Sequence, residues 1–372
     1  EISILSTNKS LGRMVQLPVD IISDKQAGDY RDELVDNGMV AGFKTLLSTI
    51  KNDFPAGGTT FLKIPKKFQQ QVCPVLNNND VREYIDLIIR EYENLLKSHP
   101  TELLKYICDF EAIIGRGQIN KKIFGLGGTE TESLSNRIVD AMGYVIIRDQ
   151  IFPKYIRNLG IKVCVYCNAN YAITDKDGNG YYDLDHWKPK SLYPYLCTSF
   201  YNLQVSCPSC NRRKSDSDKY QFFQLWNDQI DKSKEVLKFK LNYANVARYW
   251  ITHQSQNDYM RLQGAEAQYS KMRDDMEERL HLEKRYMEHK DVTEEIFWKA
   301  KVYNQSFMAS LHSGINPDLR KDGHGVSGLN LPISRGDVYR FILGTYMLPE
   351  QIYQRPLSKM TQDIAKSLGF EI

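Results

Sequence analysis

Residues 164–214 read CVYCNANYAITDKDGNGYYDLDHWKPKSLYPYLCTSFYNLQVSCPSCNRRK, and how this run is divided decides what the rest of the chain is built around. Two C-x-x-C pairs, Cys164 with Cys167 and Cys207 with Cys210, close its ends. Inside it, IKVCVYCNANYAITD and GYYDLDHW are rich in β-branched and aromatic residues and flank the turn-former DKDGNG, a pattern that predicts a hairpin.

The turn itself admits a competing reading. Asp175, Asp177, Asn179 and Gly180 fall where a calcium-binding EF-hand loop places its first ligands and its glycine. The last position of such a loop must supply a bidentate carboxylate, and counting from Asp175 it is His186. The residues before the turn are also strand-like, where an EF-hand needs a helix. A polar hairpin turn explains the segment without calcium.

The cysteine spacing is more telling. Four thiolates complete a tetrahedral zinc site, and 39 residues separate Cys167 from Cys207, enough for a hairpin between the two pairs. Such a site is closed, so the zinc is expected to be structural, holding an insert with little core of its own. The other cysteines, Cys73, Cys108 and Cys197, are scattered and read as small buried residues.

On both sides of this insert the pattern is helical. In VREYIDLIIREYENLLK, behind Asn79-Asp80, residues Val81, Tyr84, Ile85, Ile88, Ile89, Tyr92 and Leu95 recur at helical spacing. TELLKYICDFEAII has the same character, whereas GRGQINKKIFGLGGTETES lacks a phosphate-loop lysine and reads as a loop. Beyond residue 225, Tyr269, Met272, Met276, Leu280 and Met287 suggest one face of a long charged helix over roughly 257–305. The expected organisation is an N-terminal helical region (1–155), the cysteine-bounded domain (156–225) and a C-terminal helical region (226–372). The fold class is mainly α with a small α+β insert.

The 372 residues, with 42% hydrophobic and 26% charged, suit a globular chain with a sizeable core, and the formal charge of +3 says nothing by itself about partners. No apolar run approaches a membrane span. The first residues, EISILSTNKSLGRM, lack the apolar core and cleavage site of a signal peptide, so a cytoplasmic location is expected.

Within the insert, Asp185-His186, Pro189, Asn202-Leu203 and Cys207-x-x-Cys210-Asn211-x-x-Lys214 occur in that order. This ordered pattern resembles the HNH nuclease family, whose site is a ββα-metal fold, a hairpin and short helix around one divalent ion. The resemblance covers about residues 160–220, and Asn211 stands where the family often has His. KPKSLYPYLCTSFYNL further resembles HNH proteins of bacterial anti-phage systems, of the Septu and retron type. The resemblance implies a DNA endonuclease leaving 5′-phosphate and 3′-hydroxyl ends, and a partner ATPase subunit in a defence complex.

The chemistry wanted at these positions agrees. Phosphodiester hydrolysis needs a base near water and a cation at the departing oxygen. His186 can take a proton near neutral pH. Asp185 and Asn211 offer hard oxygen ligands, and so few protein ligands suit Mg²⁺ or Mn²⁺. Adjacent strand residues point to opposite faces, so Asp185 and His186 share a site only if the strand bends; the resemblance implies that this is solved at the hairpin end. By resemblance, Asn202 holds the loop and the catalytic His in place. From His186 to Lys214 the chain carries five cations, Lys188, Lys190, Arg212, Arg213 and Lys214, and no acid, a local charge suited to phosphate. Trp187, Tyr193 and Tyr195 fit base stacking and core packing equally. Two further readings stay open, a non-catalytic zinc-stabilised nucleic-acid-binding or scaffolding module, and an HNH nuclease that cuts RNA.

Overall fold

The structure is a computed structural model that describes residues 14–62, 75–124, 130–217, 219–229, 234–304, 306–307, 335–346 and 348–370. It is mainly helical with small sheets, as expected. The chain divides into two compact units. One comprises residues 17–165 and 172–232; the other comprises 1–16, 166–171 and 233–372. Among the described residues, no helix is long and apolar enough to cross a membrane.

The first unit is led by helices Ile21–Asp36, Met39–Asn52, Asn78–Lys97 and Pro100–Ile113. Each start has a local cause. Asp20 accepts hydrogen bonds from the backbone of Ile22 and Ser23, with Ser23 closing a capping box, and Asn77 caps the third helix at Asn79 N. The apolar stripe of Asn78–Lys97 is buried at Val81, Tyr84, Ile85, Ile88, Tyr92 and Leu95, as its spacing predicts. It is not covered by helices alone. Tyr195 of the insert stacks on Phe110 at 3.8 Å between ring centroids and meets Tyr84 edge-on at 5.9 Å. Phe200 packs against Tyr30 and Phe152, and the Tyr30 hydroxyl donates to Thr198 O at 2.7 Å. Aromatics between the two C-x-x-C pairs therefore form part of the helical core. Tyr193 and Tyr195 are core residues.

A pair of short strands and a broken helix follow in this unit. The glycine-rich stretch read as a loop contains a helical turn, Arg116–Ile119, and paired strands Lys122–Phe124 and Glu130–Ser133. Ser133 then caps helix Leu134–Ala141. After the left-handed Gly143, Tyr144–Ile146 runs through a π-helical turn, Ile147–Ile151, into helix Phe152–Asn158.

In the second unit, strand Lys234–Leu241 pairs antiparallel with Met260–Gly264 on one edge and with Met14–Gln16 on the other. Helix Ser358–Ser367 is buried against that sheet, with Asp363 accepting from Phe239 N at 2.7 Å and paired with Lys359. The single long helix expected over 257–305 is not there. That span holds strand Met260–Gly264 followed by helices Ser270–Leu280, Leu282–Met287 and Lys290–Val302. His281 is left-handed, Glu277 caps the next helix at Glu283 N, and Glu283 accepts from Leu262 N. Two of the acidic residues in this charged span therefore serve a helix start and a strand edge. The alternation of buried Met260 and Leu262 around exposed Arg261 is too short to stand out against a helical period.

Of the single cysteines, Cys197 is buried as expected, Cys108 is exposed, and Cys73 lies outside the described residues. Cys108 sits on a helix face that the apolar stripe leaves to solvent.

Two glycines separate backbone strain from crowding. Gly38 and Gly143 have almost the same positive φ, 71° and 70°, but a Cβ at Gly38 meets nothing, whereas one at Gly143 overlaps the buried Phe43 ring. Gly38→Ala should cost roughly 1–2 kcal/mol from the left-handed backbone alone. Gly143→Ala should cost roughly 1–3 kcal/mol more through overpacking. Urea unfolding with an unchanged m-value checks this; equal losses would contradict it.

Candidate active site and metal centre

The four cysteines of the two C-x-x-C pairs come together. Their sulfur atoms lie within 4.8 Å of one another, all buried, and none is in a disulfide. Cys207 caps helix Pro208–Lys214, Cys210 lies in its first turn, and Val165 N donates to Val205 O at 3.0 Å, bringing the first knuckle to the second. A tetrahedral zinc–thiolate site separates its sulfurs by roughly 3.8 Å, so a modest contraction closes this cluster on an ion. The all-thiolate, buried donor set fits structural zinc.

The strands between the knuckles pair differently from the expectation. The DKDGNG turn closes only a short hairpin, Ile173–Thr174 with Gly180–Tyr181. Asp175 accepts from Asp177 N, Asn179 N and the Asn179 amide, so the turn satisfies its own polar groups. The strand that carries the site, Asp183–His186, pairs instead with Leu203–Ser206, in the register Asp183 to Ser206, Leu184 to Val205, Asp185 to Gln204 and His186 to Leu203. Helix Pro208–Lys214 follows at once, so the ββα arrangement is present with a long connection between its strands.

His186 is the last residue of its strand, and this end is tied down. Trp187 N donates to Asn202 O at 2.8 Å. The Asn202 side chain accepts from Lys188 N at 2.8 Å and donates to Leu196 O at 2.9 Å and Lys188 O at 3.2 Å. Asn202 therefore clamps both ends of the 188–202 connection. His186 Nε2 lies 2.9 Å from Cys197 O. A carbonyl only accepts, so Nε2 carries the proton and Nδ1 keeps the lone pair. Burial pushes the His186 pKa down to about 3, helped by the charges of Lys190 and Lys214 and opposed by the Cys197 carbonyl. The imidazole is thus neutral around neutral pH. The Cys197 thiol is itself pushed up to about 12, chiefly by burial, and packs near Met142 Sδ at 3.9 Å. It stays protonated, and only the Cys197 carbonyl serves the site.

Asp185 is buried and faces Lys214, whose Nζ sits 3.3 Å from its carboxylate and donates to His186 O at 2.7 Å. Both Asp185 and His186 nevertheless line one cavity of about 480 Å³. Asn211 also lines it and donates from Nδ2 to Asp183 Oδ2 at 2.9 Å, which leaves its Oδ1 as the acceptor.

Of the five cations expected to meet phosphate, Lys190 and Lys214 line this cavity. Lys214 does so from a buried position, while Lys190 is half-buried. Lys188 lies over the Trp187 ring at 4.6 Å, and Arg212 and Arg213 are on the exposed side of their helix. The cavity also holds residues that the sequence reading passed over, namely Asp183, Asp216, Tyr144, Arg148 and Asp149. Asp183 carried a signal, since the D-x-D spacing of Asp183 and Asp185 puts both on one strand face. Tyr144 and Arg148 carried none.

Residues 164–217 match the family described as HNH endonuclease. The match supports that family for this segment and indicates a nuclease-type, metal-dependent function. No curated protein and no solved structure matches the chain.

Zinc should co-purify at about one atom per chain, because four thiolates enclose it. Cys210→Ser should lower that content sharply and lower the melting temperature of the insert. Elemental analysis finding no zinc in the folded parent would contradict the assignment.

Proposed function

We propose that this protein is a Mg²⁺- or Mn²⁺-dependent DNA endonuclease of the HNH type, acting in the cytoplasm in bacterial anti-phage defence beside an ATPase partner. One observation carries the enzymatic part of the reading. A neutral histidine with its Nε2 proton fixed, four carboxylates and a carboxamide oxygen share one cavity with two lysines. A scaffold for nucleic acid has no need of a base and hard oxygen donors in the same cavity.

Asp185, Asp183 and the Asn211 Oδ1 are the hard donors suited to a divalent ion, with room for water and phosphate oxygens. Such an ion supplies charge neutralisation at the departing oxygen. The chain's own residues do the rest. His186 takes the proton of the attacking water at Nδ1, and the Cys197 carbonyl holds the ring in that tautomer. The low basicity of His186 has its cause in burial and in Lys190 and Lys214. A phosphate in the cavity opposes those two charges and so raises His186 toward the range a general base needs. Asn202 keeps the strand end and the connection from drifting apart. Lys214 holds the Asp185 carboxylate and the His186 carbonyl. The local positive charge and the resemblance of KPKSLYPYLCTSFYNL support DNA and the defence setting.

The Lys214–Asp185 pair favours a second reading as a non-catalytic zinc-stabilised module, because the ammonium already satisfies the carboxylate without a divalent ion.

His186→Ala decides between them. It should lower plasmid cleavage by roughly 10²–10⁴-fold, the usual cost of losing a general base, while DNA affinity changes little. Excess Mn²⁺ should partly rescue Asp185→Ala, which lacks an ion ligand, and should not rescue His186→Ala, which lacks a proton acceptor. A folded, zinc-loaded His186→Ala protein cutting at the parent rate would sink the mechanism.

A further inference from the structure

Tyr144 lies in the helical stretch before the segment that matches the nuclease family, yet its ring is 4.8 Å from that of His186. Its hydroxyl donates to Leu184 O at 2.9 Å, so it is pinned to the middle of the site strand. Two cations gather on this one ring. Lys190 Nζ sits 4.1 Å from the ring centroid and the Arg148 guanidinium 5.8 Å from it. Ser135 Oγ, on helix Leu134–Ala141, holds the Lys190 backbone through its carbonyl at 3.0 Å. Arg148 and Asp149 belong to the π-helical turn Ile147–Ile151, and such turns are frequent at functional sites.

Like charges held on one ring need a reason. Burial lowers the Lys190 pKa and the charge of Arg148 adds to this, against the opposing pull of Cys197, Asp216 and Asp140. Arg148 turns Nε and Nη2 toward its neighbour Asp149, at 2.6 and 2.8 Å, leaving Nη1 for another acceptor. Both partners of that pair are about half exposed, at 42% and 50%, and ion pairs of this kind contribute little, so an incoming anion can compete with Asp149. Of the carboxylates that line the cavity, Asp183 and Asp185 lie on the site strand, while Asp149 neighbours Arg148 and Asp216 follows the helix that carries Lys214. The site strand therefore contributes carboxylates, and the Tyr144 ring carries two cations, in one cavity. A phosphodiester beside a divalent ion presents the matching arrangement.

We propose that Arg148 and Lys190, set on the Tyr144 ring, form a phosphate subsite that grips a backbone phosphate of the nucleic acid next to His186. The nuclease site is then a composite, with the histidine and the hard oxygen donors from the insert and part of its grip from the helices before it. Tyr144 is a positioning residue here, orienting both cations and the histidine ring. The proposal rests on the nucleic-acid reading above and extends the site to residues outside 164–217.

The test is fluorescence anisotropy of a short labelled DNA duplex, titrated with the full chain over a series of NaCl concentrations without divalent ions. Arg148→Gln and Lys190→Gln should each weaken binding several-fold at low salt and reduce the slope of log affinity against log salt by about 0.9, the loss of one phosphate contact. Arg148→Lys should restore the slope. Zinc content and circular dichroism equal to the parent show that each variant is folded. Should Lys190→Gln fail that check, Arg148→Gln and Arg148→Lys decide alone. Unaltered slopes in folded variants, or a parent with no salt-dependent affinity for the duplex, would overturn the subsite. Plasmid cleavage with Mg²⁺ or Mn²⁺, run in parallel, separates the two claims. Cleavage with unaltered slopes removes the subsite and keeps the nuclease. Altered slopes without cleavage keep the phosphate grip and remove the nuclease.

Discussion

The four-residue pairing of Asp183–His186 with Leu203–Ser206 is the constraint on which the site depends. Two strands this short are not stable alone, since a lone hairpin buries too little to offset the ordering of its backbone. The ladder survives because both of its ends are held. At one end Cys207 and Cys210 follow directly on the second strand and meet Cys164 and Cys167. At the other, Asn202 bonds to Leu196 and to both backbone groups of Lys188. A slip of one residue would turn His186 to the opposite face and bury the aspartates wrongly, so fixing the register also fixes the chemistry.

The adjacency of Asp185 and His186 posed a geometric difficulty that the strand end resolves. Neighbouring residues in a continuous strand face opposite ways, yet these two line one cavity. His186 is the last paired residue, and beyond it the chain turns toward Pro189. Lys214 answers for the buried charge, since an unpaired carboxylate at the position of Asp185 would carry a large desolvation cost. The same ammonium bonds to the His186 carbonyl, so one cation serves the carboxylate and the strand end together.

Burial also separates the cations that looked alike in sequence. Lys190 and Lys214 are drawn into the cavity, whereas Arg212 and Arg213, on the same short helix as Lys214, face outward. The helical period puts Lys214 four residues after Cys210, on the inner face with it, and leaves the two arginines between them outside. The aromatic residues divide likewise. Tyr193, Tyr195 and Phe200 serve the core of the helical unit, so the insert is stabilised by packing as well as by its cysteines.

Much was legible in the sequence alone. The paired C-x-x-C spacing determined the thiolate cluster, because four soft ligands in two close pairs have few other uses in one chain. The apolar period determined helix Asn78–Lys97, and the ordered Asp-His, Asn and Cys-Asn pattern placed the candidate site within residues 164–217. Pairing partners were not legible. Strand propensity marks a segment as extended without naming its neighbour, so the sequence points Asp183–His186 to the nearest hairpin rather than to Leu203–Ser206. The break at His281 leaves no mark in the sequence, because charged side chains cap helices and cover helix faces with the same composition. Asp183 was visible in its spacing, but its link to Asn211 was not. Tyr144 and Arg148 reach the cavity from some forty residues upstream of His186, a separation that only tertiary packing closes, since a local pattern carries no information about which distant helix will cover it.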